Sequence, residues 1–254
     1  MMDERLAQRR KGVSEDRARK RLRTVLIVLV AVLAIVGGLW LVRSPVLSVS
    51  EVEITGASMS DPAMYVDRLA MGVGTPTIDI RAAAIADAVE ADAWVDTASV
   101  TVVWPGTVVV DVVEHEPVSP VRRGFEWYLV SASGAVLEST AAPSGDSASV
   151  EIDLGSVEVG ETSTDTMVLG AVEFVTVLSP ELRSGVVMTA VDGGLFAEVS
   201  GHLVRLGRPV DLYAKATVLA ELLSQDLEPG VNIDLIAPTR PAVSNPQPQV
   251  ETEE

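Results

Sequence analysis

Few residues in this chain carry the side chains that enzymes and metal sites use. The 254 residues include no cysteine and only two histidines, His115 and His202. Without cysteine the chain forms neither a disulfide nor a thiolate-ligated zinc or iron–sulfur site. Aromatic residues make up 4% of the chain, which leaves little material for stacking nucleobases. This composition argues against most cofactor chemistry and against nucleic-acid binding outside the basic N-terminal segment.

The strongest metal-ligand pattern is Glu114-His115-Glu116. Successive residues of a strand point to opposite sides, so both carboxylates point one way and the imidazole points the other. Three ligands placed in this way do not converge on one ion. His202 has no carboxylate near it in sequence, and we predict that it is a surface or edge-strand residue. We therefore predict no metal site and no cofactor.

The serines do not lie in catalytic contexts. The sequence contains no G-x-S-x-G, no S-x-x-K and no glycine-lysine phosphate loop, which are the common local signatures of an activated serine or a bound phosphate. We predict that the chain is not an enzyme and has no catalytic residues.

A charge asymmetry and one apolar segment organise the chain. Residues 1–24 contain nine basic and four acidic side chains, whereas the remainder contains ten basic and 32 acidic ones. Residues 25–42 separate the two compositions and carry no charge. As a helix rising about 1.5 Å per residue, this segment would reach about 27 Å, close to the roughly 30 Å hydrocarbon core of a bilayer.

Three interpretations of the apolar segment compete. A cleaved signal peptide has a shorter apolar core, and a buried soluble helix is rarely apolar on every face. We therefore predict that residues 25–42 are an uncleaved transmembrane helix. The positive-inside rule places residues 1–24 in the cytoplasm as a basic tail and the acidic bulk outside the membrane. The tail could also bind nucleic acid or anionic lipid, although fixing the topology is the favoured interpretation.

Hydrophobic periodicity after the span predicts a first module in the order β-α-α-β-β. Strand-like alternation at 51–55 precedes a helix that starts at Pro62, and a second helix capped by Asp79 runs to Ala93 or ends slightly earlier. Two valine-rich strands follow at 98–104 and 107–114. For Trp94 and Trp104, packing in the core is favoured over an exposed pair that binds a peptide. The apolar stripe of the first helix is predicted at Val66, Leu69 and Ala70.

The second part of the chain mixes strands and helices. A hairpin is predicted within 127–137, helices at 164–178 and 211–223, three strands between 186 and 206, and a last strand at 231–236. The proline-punctuated segment 114–120 is predicted as a join, and Arg122 and Arg123 as a solvated pair in a loop. Residues 238–254 are rich in proline and glutamate and are predicted to be disordered.

These elements resemble the FtsQ/DivIB family of bacterial cell division proteins. The resemblance covers roughly residues 20–240 and rests on the order of short motifs rather than on any one of them. In the first module the matching segments are residues 49–56, 74–76, 94–95, 100–105 and 112–117, and in the second they are residues 134–137, 204–207, Lys215 and residues 233–235.

The resemblance implies an α+β fold in two domains. It predicts a βααββ POTRA domain at 46–117 and an FtsQ-type β domain at 118–237, which is a mixed α/β domain with a mainly antiparallel sheet. It also predicts a single-pass protein of the cytoplasmic (inner) membrane that is found at the division septum.

The function implied is that of a divisome scaffold. Such a protein recruits and links partners resembling FtsB and FtsL and, through them, helps control septal peptidoglycan synthesis by an FtsW/FtsI-type synthase. If the last strand lies at a sheet edge, its unpaired backbone groups can accept a strand from a partner. The predicted partner-binding residues are Val231, Asn232, Ile233, Asp234, Leu235, Ile236, Ala237, Thr239, Arg240 and Val243.

Two alternative functions stay open. One is a membrane-anchored extracytoplasmic enzyme acting on the cell wall, which would need a convergent pair of acids or a nucleophile with its base. The other is a POTRA-bearing translocation or chaperone component, for which repeated POTRA modules and a barrel would be expected.

Overall fold

The computed structural model describes residues 3–68, 73–225 and 227–245. Its first element is helix α1 (Asp3–Val42), which is 40 residues long. Within it, Leu22–Val42 is apolar and long enough to cross a membrane, and none of this stretch is buried against the rest of the protein. The helix thus contains the span predicted at 25–42. It also continues without a break into the basic N-terminal segment, for which the sequence predicted no structure.

The chain folds into two compact units. The first unit comprises Met1–Thr55, Ala63–Ile85 and Ser99–Val110. The second comprises Gly56–Pro62, Ala86–Ala98 and Asp111–Glu254. The predicted domains, 46–117 and 118–237, divide the chain by position in the sequence, and their boundaries stay a prediction.

The module that follows the span has the predicted order of elements. The elements are β1 (Glu51–Thr55), α2 (Pro62–Arg68), α3 (Ala82–Val89), β2 (Val95–Val103) and β3 (Thr107–Glu114). The three strands form a sheet in the order β1-β3-β2. The side chains of the stripe predicted at residues 66, 69 and 70 lie outside the described part.

Two local predictions for this module were wrong. Asp79 does not cap a helix, because it closes a short 3-10 turn and the next residue, Ile80, is extended; α3 therefore begins only at Ala82 and ends at Val89. Trp104 is 56% exposed, because it follows the last residue of β2 and lies at the turn toward β3. Trp94 is 9% exposed, as predicted.

Within the described residues, nine strands form the second sheet. The strands are β4 (Pro117–Arg123), β5 (Glu126–Ser131), β6 (Val136–Thr140), β7 (Ser149–Val150), β8 (Val187–Val191), β9 (Gly194–Val199), β10 (His202–Gly207), β11 (Asn232–Asp234) and β12 (Ala242–Ser244). Their order is β12-β11-β10-β9-β8-β7-β4-β5-β6. Most neighbouring pairs are antiparallel, and three are parallel, namely β4 with β7, β7 with β8 and β10 with β11. The mainly antiparallel sheet is therefore confirmed.

Helices α4 (Thr166–Val177), α5 (Pro180–Arg183) and α6 (Leu212–Leu223) accompany this sheet. Asp165 caps α4 by accepting hydrogen bonds from the backbone N–H groups of Met167 at 2.7 Å and Val168 at 3.2 Å. Buried residues of α4 and α6, among them Phe174 and Leu219, share one core with the inward face of the sheet.

The proline-punctuated segment is a strand, not a join. Ser119 and Val121 are buried at alternate positions of β4, which lies between β7 and β5. A register shift between Pro117 and Ser119 accommodates the first proline in the ladder. The prolines concealed the alternation that identifies a strand, and this explains the wrong prediction.

The two arginines predicted in a loop lie at the end of β4. Arg123 donates to the carbonyl of Val157 at 2.8 Å and to the hydroxyl of Tyr128, and its guanidinium lies 3.9 Å from the centre of the Tyr128 ring. Arg123 therefore serves internal packing, whereas Arg122 is exposed.

His202 is buried rather than exposed. It opens β10 on the same face as Val204 and Leu206, and only 8% of its surface is accessible. The strand is central, between β9 and β11, and its alternate residues point into the core. The sequence prediction failed because it considered charged neighbours and not the register of the strand.

The C-terminal region differs from its prediction in two ways. The strand predicted at 231–236 is shorter, Asn232–Asp234, and a further strand, β12, follows within the segment predicted to be disordered. β12 pairs antiparallel with β11. Residues 246–254 of the predicted disordered tail lie outside the described residues.

Candidate functional site

The edge of the nine-stranded sheet is formed by β12. Its three residues pair with β11 on one side, and all three are exposed. The last strand predicted from the sequence corresponds to β11, which is therefore covered, and the edge lies one strand further along the chain. Another chain adds to a sheet at an exposed edge strand, where backbone N–H and C=O groups are unpaired.

Backbone directions in β11 follow from one hydrogen bond. The N–H of Leu235 donates to the carbonyl of Arg205 at 2.8 Å, so residue 235 turns its backbone groups toward β10. Backbone groups alternate sides along a strand, so Ile233 also faces β10. The even-numbered residues of β11 therefore face β12.

The same alternation shows which backbone N–H and C=O groups of β12 point away from β11. Asn232 lies opposite Ser244, and Asp234 lies opposite Ala242, so Ser244 and Ala242 turn their backbone groups toward β11. Val243, between them, turns its N–H and C=O away from the sheet. This residue supplies the hydrogen-bonding groups that a further strand would use.

The structure separates the ten predicted partner-binding residues into three groups. Three face the core, at 2% exposure or less, and cannot offer side chains to a partner: Val231, Ile233 and Leu235. Two are half-buried, Asn232 and Asp234. Five are exposed: Ile236, Ala237, Thr239, Arg240 and Val243.

Sequence reasoning missed several residues beside this edge. Leu203 of β10 lies opposite Asn232 and is 49% exposed, and Arg205 forms an ion pair with Asp234 at 3.4 Å. Ala242 and Ser244 were assigned to the disordered tail. The period-2 pattern of residues 202–207 could have indicated Leu203 and Arg205 as the outward face, had their strand been placed beside β11.

The opposite edge of the sheet, β6, is partly covered. The N–H of Val136 donates to the carbonyl of Glu161 at 2.9 Å, and the N–H of Gly160 donates to the carbonyl of Val136 at 2.8 Å. Ala135 also forms an isolated bridge with Thr162. The loop at 160–162 thus occupies part of this edge, so β12 is the better candidate for strand addition.

The Glu114-His115-Glu116 triplet does not converge. His115 approaches Asp96, with 3.6 Å between Nδ1 and the nearer carboxylate oxygen. Glu114 instead accepts hydrogen bonds from the loop at residues 58–60. Among the residues that the structure describes, no three His, Cys, Asp or Glu side chains are placed to hold a metal ion.

The Glu114 carboxylate ties that loop to the end of β3. It accepts from the backbone N–H groups of Ser58, Met59 and Ser60 at 2.7–2.9 Å and from both serine hydroxyls at 2.6 Å. Burial alone raises the pKa of Glu114, but these hydrogen bonds outweigh it and hold the pKa well below the ordinary glutamate value.

Replacing Glu114 with alanine should lower the free energy of unfolding at pH 7 by about 1 kcal/mol, because the bonds are charge-assisted but largely exposed. The pKa of Glu114 is lower in the folded than in the unfolded chain, so the stabilisation is fully present above the unfolded value of about pH 4.3. It is progressively lost as the pH falls below that value. Urea titrations between pH 3 and 7 of the variant, with exposed Glu116→Ala as the control, measure both effects. Equal pH dependence in the wild type and in Glu114→Ala would contradict this role.

Comparison with known proteins identifies the fold of the first module. The family described as "POTRA domain, FtsQ-type" matches residues 47–115. A cell division protein FtsQ from Mycobacteroides abscessus is 27% identical over 236 residues, covering 92% of this chain and 73% of that relative. The chain is an FtsQ-like cell division protein. The predicted family resemblance is thereby confirmed.

Two further FtsQ proteins extend the comparison. The protein from Rhodothermus marinus is 38% identical over 111 residues, or 43% of this chain and 40% of the relative. The protein from Mycolicibacterium smegmatis is 27% identical over 219 residues, or 85% of this chain and 62% of the relative. The FtsQ-like chain thus spans less than two thirds of the length of both.

A buried lysine supports the edge region of this FtsQ-like chain. Lys215 of α6 is 1% exposed, and its ammonium group donates to the carbonyls of Leu206 at 2.7 Å and Arg208 at 3.0 Å. Burial lowers the pKa of Lys215, and the charge of Asp211 partly opposes this. Lys215 thus links α6 to the end of β10. β10 pairs with β11, and β11 pairs with the edge strand β12.

Proposed function

We propose that this FtsQ-like chain is a bitopic scaffold of the division apparatus. Its N-terminal segment lies in the cytoplasm, the span crosses the membrane once, and the POTRA module and nine-stranded sheet lie outside. A strand of an FtsB-like partner adds to β12, an FtsL-like partner joins through it, and the assembly helps control a septal FtsW/FtsI-type synthase.

The observation that carries this proposal is the open edge at β12. Val243 directs its backbone N–H and C=O outward, and the side chains of all three residues of β12 are exposed. Main-chain hydrogen bonds supply affinity in strand addition, and neighbouring side chains supply selectivity. The similarity to FtsQ cell division proteins supports the choice of partner class.

The membrane tether contributes through mass action. A single span confines the exterior to a layer beside the membrane, which raises the effective concentration of partners anchored in the same bilayer. A short edge such as β12 therefore suffices for pairing that would be weak between freely diffusing proteins.

Charge orients the partner. The chain beyond residue 24 has 32 acidic and ten basic side chains, so a partner with basic flanks would be attracted and an acidic one repelled. At the edge itself, Arg205 is already paired with Asp234, and Arg240 lies exposed in the loop before β12. An acidic residue on the added strand could therefore be accommodated locally at Arg240.

Localisation in dividing cells tests the scaffold function. A fluorescent fusion of the full chain, expressed in cells depleted of their own protein, should concentrate at midcell and restore division. A matched fusion that ends at residue 43 keeps the span but should spread over the whole membrane. Uniform signal from the full chain, or failure of added protease to digest its exterior in spheroplasts, would refute the proposal.

A further inference from the structure

The first unit exposes a group of large apolar side chains that the scaffold function does not use. Val46 and Val73 are each 73% exposed, Ile78 is 57% exposed and Trp104 is 56% exposed. They come from three separate segments of the sequence. Contiguous apolar surface of this kind usually marks an interaction site.

Backbone and side-chain hydrogen bonds bring these segments together. The hydroxyl of Thr77, which is 3% exposed, donates toward the carbonyl of Leu47 at 2.5 Å and that of Pro105 at 3.0 Å. This one side chain links the residues next to Val46, Ile78 and Trp104. We call the four exposed residues, Val46, Val73, Ile78 and Trp104, the apolar patch.

Hydrogen bonds of Gly74 and Thr75 hold the segment of Val73 against Val49, which lies shortly after Val46 in the chain. The N–H of Gly74 donates to the carbonyl of Val49 at 2.7 Å, and the N–H of Val49 donates to the carbonyl of Thr75 at 2.8 Å. The N–H of Ser50 donates to the carbonyl of Gly106 at 2.7 Å. All of these bonds lie within the first unit, so the patch belongs to one body.

The patch directly follows the membrane span. α1 ends at Val42, and Val46 lies four residues later within a short 3-10 turn. The N–H of Ser44 donates to the carbonyl of Leu41 at 3.0 Å, and the N–H of Leu47 donates to the carbonyl of Ser44 at 3.0 Å. The connection is therefore a hydrogen-bonded turn and not an extended linker, which holds the patch close to the end of the span.

The composition of the patch differs from that of the rest of the exterior. Residues 43–50, 73–78 and 103–106 contain no aspartate or glutamate and one basic residue, Arg43, although the chain beyond residue 24 is strongly acidic. A carboxylate is costly to place in the interfacial layer of a bilayer, whereas tryptophan and aliphatic side chains are favoured there. Trp40, near the end of α1, is 75% exposed.

From these observations we propose that the apolar patch inserts into the lipid headgroup layer on the side of the membrane where the span ends. The occupant is lipid, because a short hydrogen-bonded turn connects the patch to the exposed apolar helix Leu22–Val42 and because the patch segments contain no acidic residue. Insertion by about 5–10 Å, as for other interfacial segments, would fix the tilt of the first unit on the membrane. The proposal does not depend on which side of the membrane the unit occupies.

The absence of cysteine makes a direct test possible. Single substitutions Ile78→Cys and Trp104→Cys in the full chain, spin-labelled and reconstituted in vesicles of phosphatidylethanolamine and phosphatidylglycerol, report contact with lipid by collision with oxygen or with a water-soluble nickel chelate. Phe125→Cys, at a hairpin tip of the second unit where the native side chain is fully exposed, is the matched control.

Labels at positions 78 and 104 should favour oxygen over nickel collisions about threefold more than the label at 125, as expected for the headgroup–acyl boundary. Nickel access equal to that of the control would overturn the proposal. Protection from both reagents would also overturn it, because it would indicate a protein contact. Circular dichroism of each variant before reconstitution verifies that the fold is retained.

Discussion

Replacing Val243 with proline is expected to weaken binding of an FtsB-like partner at least tenfold, the largest effect of any single substitution at the edge. Proline removes the outward N–H of β12 and leaves the pairs of Ala242 and Ser244 with β11 in place. Loss of one backbone bond plus a clash with the added strand amounts to about 1.4 kcal/mol or more, which is the equivalent of a tenfold change. Titration of the purified full chain in detergent with the exterior of the partner measures it.

Two matched variants make the result interpretable. Val243→Thr keeps the N–H and the β-branched shape and should bind within about threefold of the wild type. Ala242→Pro removes a donor that faces β11 and should loosen β12 itself. Unchanged partner affinity in a folded Val243→Pro variant would refute strand addition at this edge.

The position of the proline matters because of the register. A proline at Ile233 or Leu235 would remove a backbone donor that faces β10, as the bond from Leu235 to Arg205 shows, and would disturb buried side chains. Loss of partner binding after such a change would report damage to the sheet. Only Val243, among the described residues of β11 and β12, tests the outward bond without this complication.

Replacing Lys215 with alanine is expected to lower the free energy of unfolding by about 2–4 kcal/mol. The substitution leaves the carbonyls of Leu206 and Arg208 without their donor and creates a cavity where the lysine stem packed. Glu221→Ala, an exposed position on the same helix, should change stability by less than about 0.5 kcal/mol. Equilibrium unfolding in urea compares the two.

A methionine at position 215 separates packing from charge. Lys215→Met retains the stem and removes the ammonium group, so its loss should be smaller than that of Lys215→Ala. In the wild type the pKa of Lys215 is lowered in the folded state, so the unfolded chain binds the proton more tightly. Stability should therefore rise as the pH increases through that lowered pKa toward the ordinary value of about 10.4, and this rise should be absent in Lys215→Met. A similar rise in both proteins would contradict the assignment.

Local periodicity predicted most of the elements because burial on one face leaves a direct trace in the sequence. Val108, Val110 and Val112 alternate in β3 and are buried, and α4 and α6 begin and end within two residues of their predicted bounds. Elements without such a trace were missed. β4 contains two prolines, and β12 is three residues long and exposed throughout, so neither carries an alternating apolar pattern.

In the candidate site, too, some features were predicted from the sequence and others were missed. Partner binding at residues 231–243 stays a prediction, and Val243 was among the residues it named. The sequence did not predict that residues 242–244 fold back onto β11, because that pairing joins positions separated by a loop and rests on backbone hydrogen bonds. Leu203 and Arg205 were missed for a related reason: β10 is next to β11 in space but 25 or more residues away in the chain.

The order of amino acids alone determined the apolar span, the charge contrast across it, the βααββ module and the family. Each of these depends on composition or on contacts between residues near one another in the chain, where side-chain chemistry and period suffice. Tertiary structure alone decided that His202 and Lys215 are buried, that Trp104 is exposed, and that β12 forms the edge of the sheet. These outcomes depend on which distant segments pair. Nearly all residue types carry the same backbone N–H and C=O groups, so the local sequence of a strand does not specify its partner.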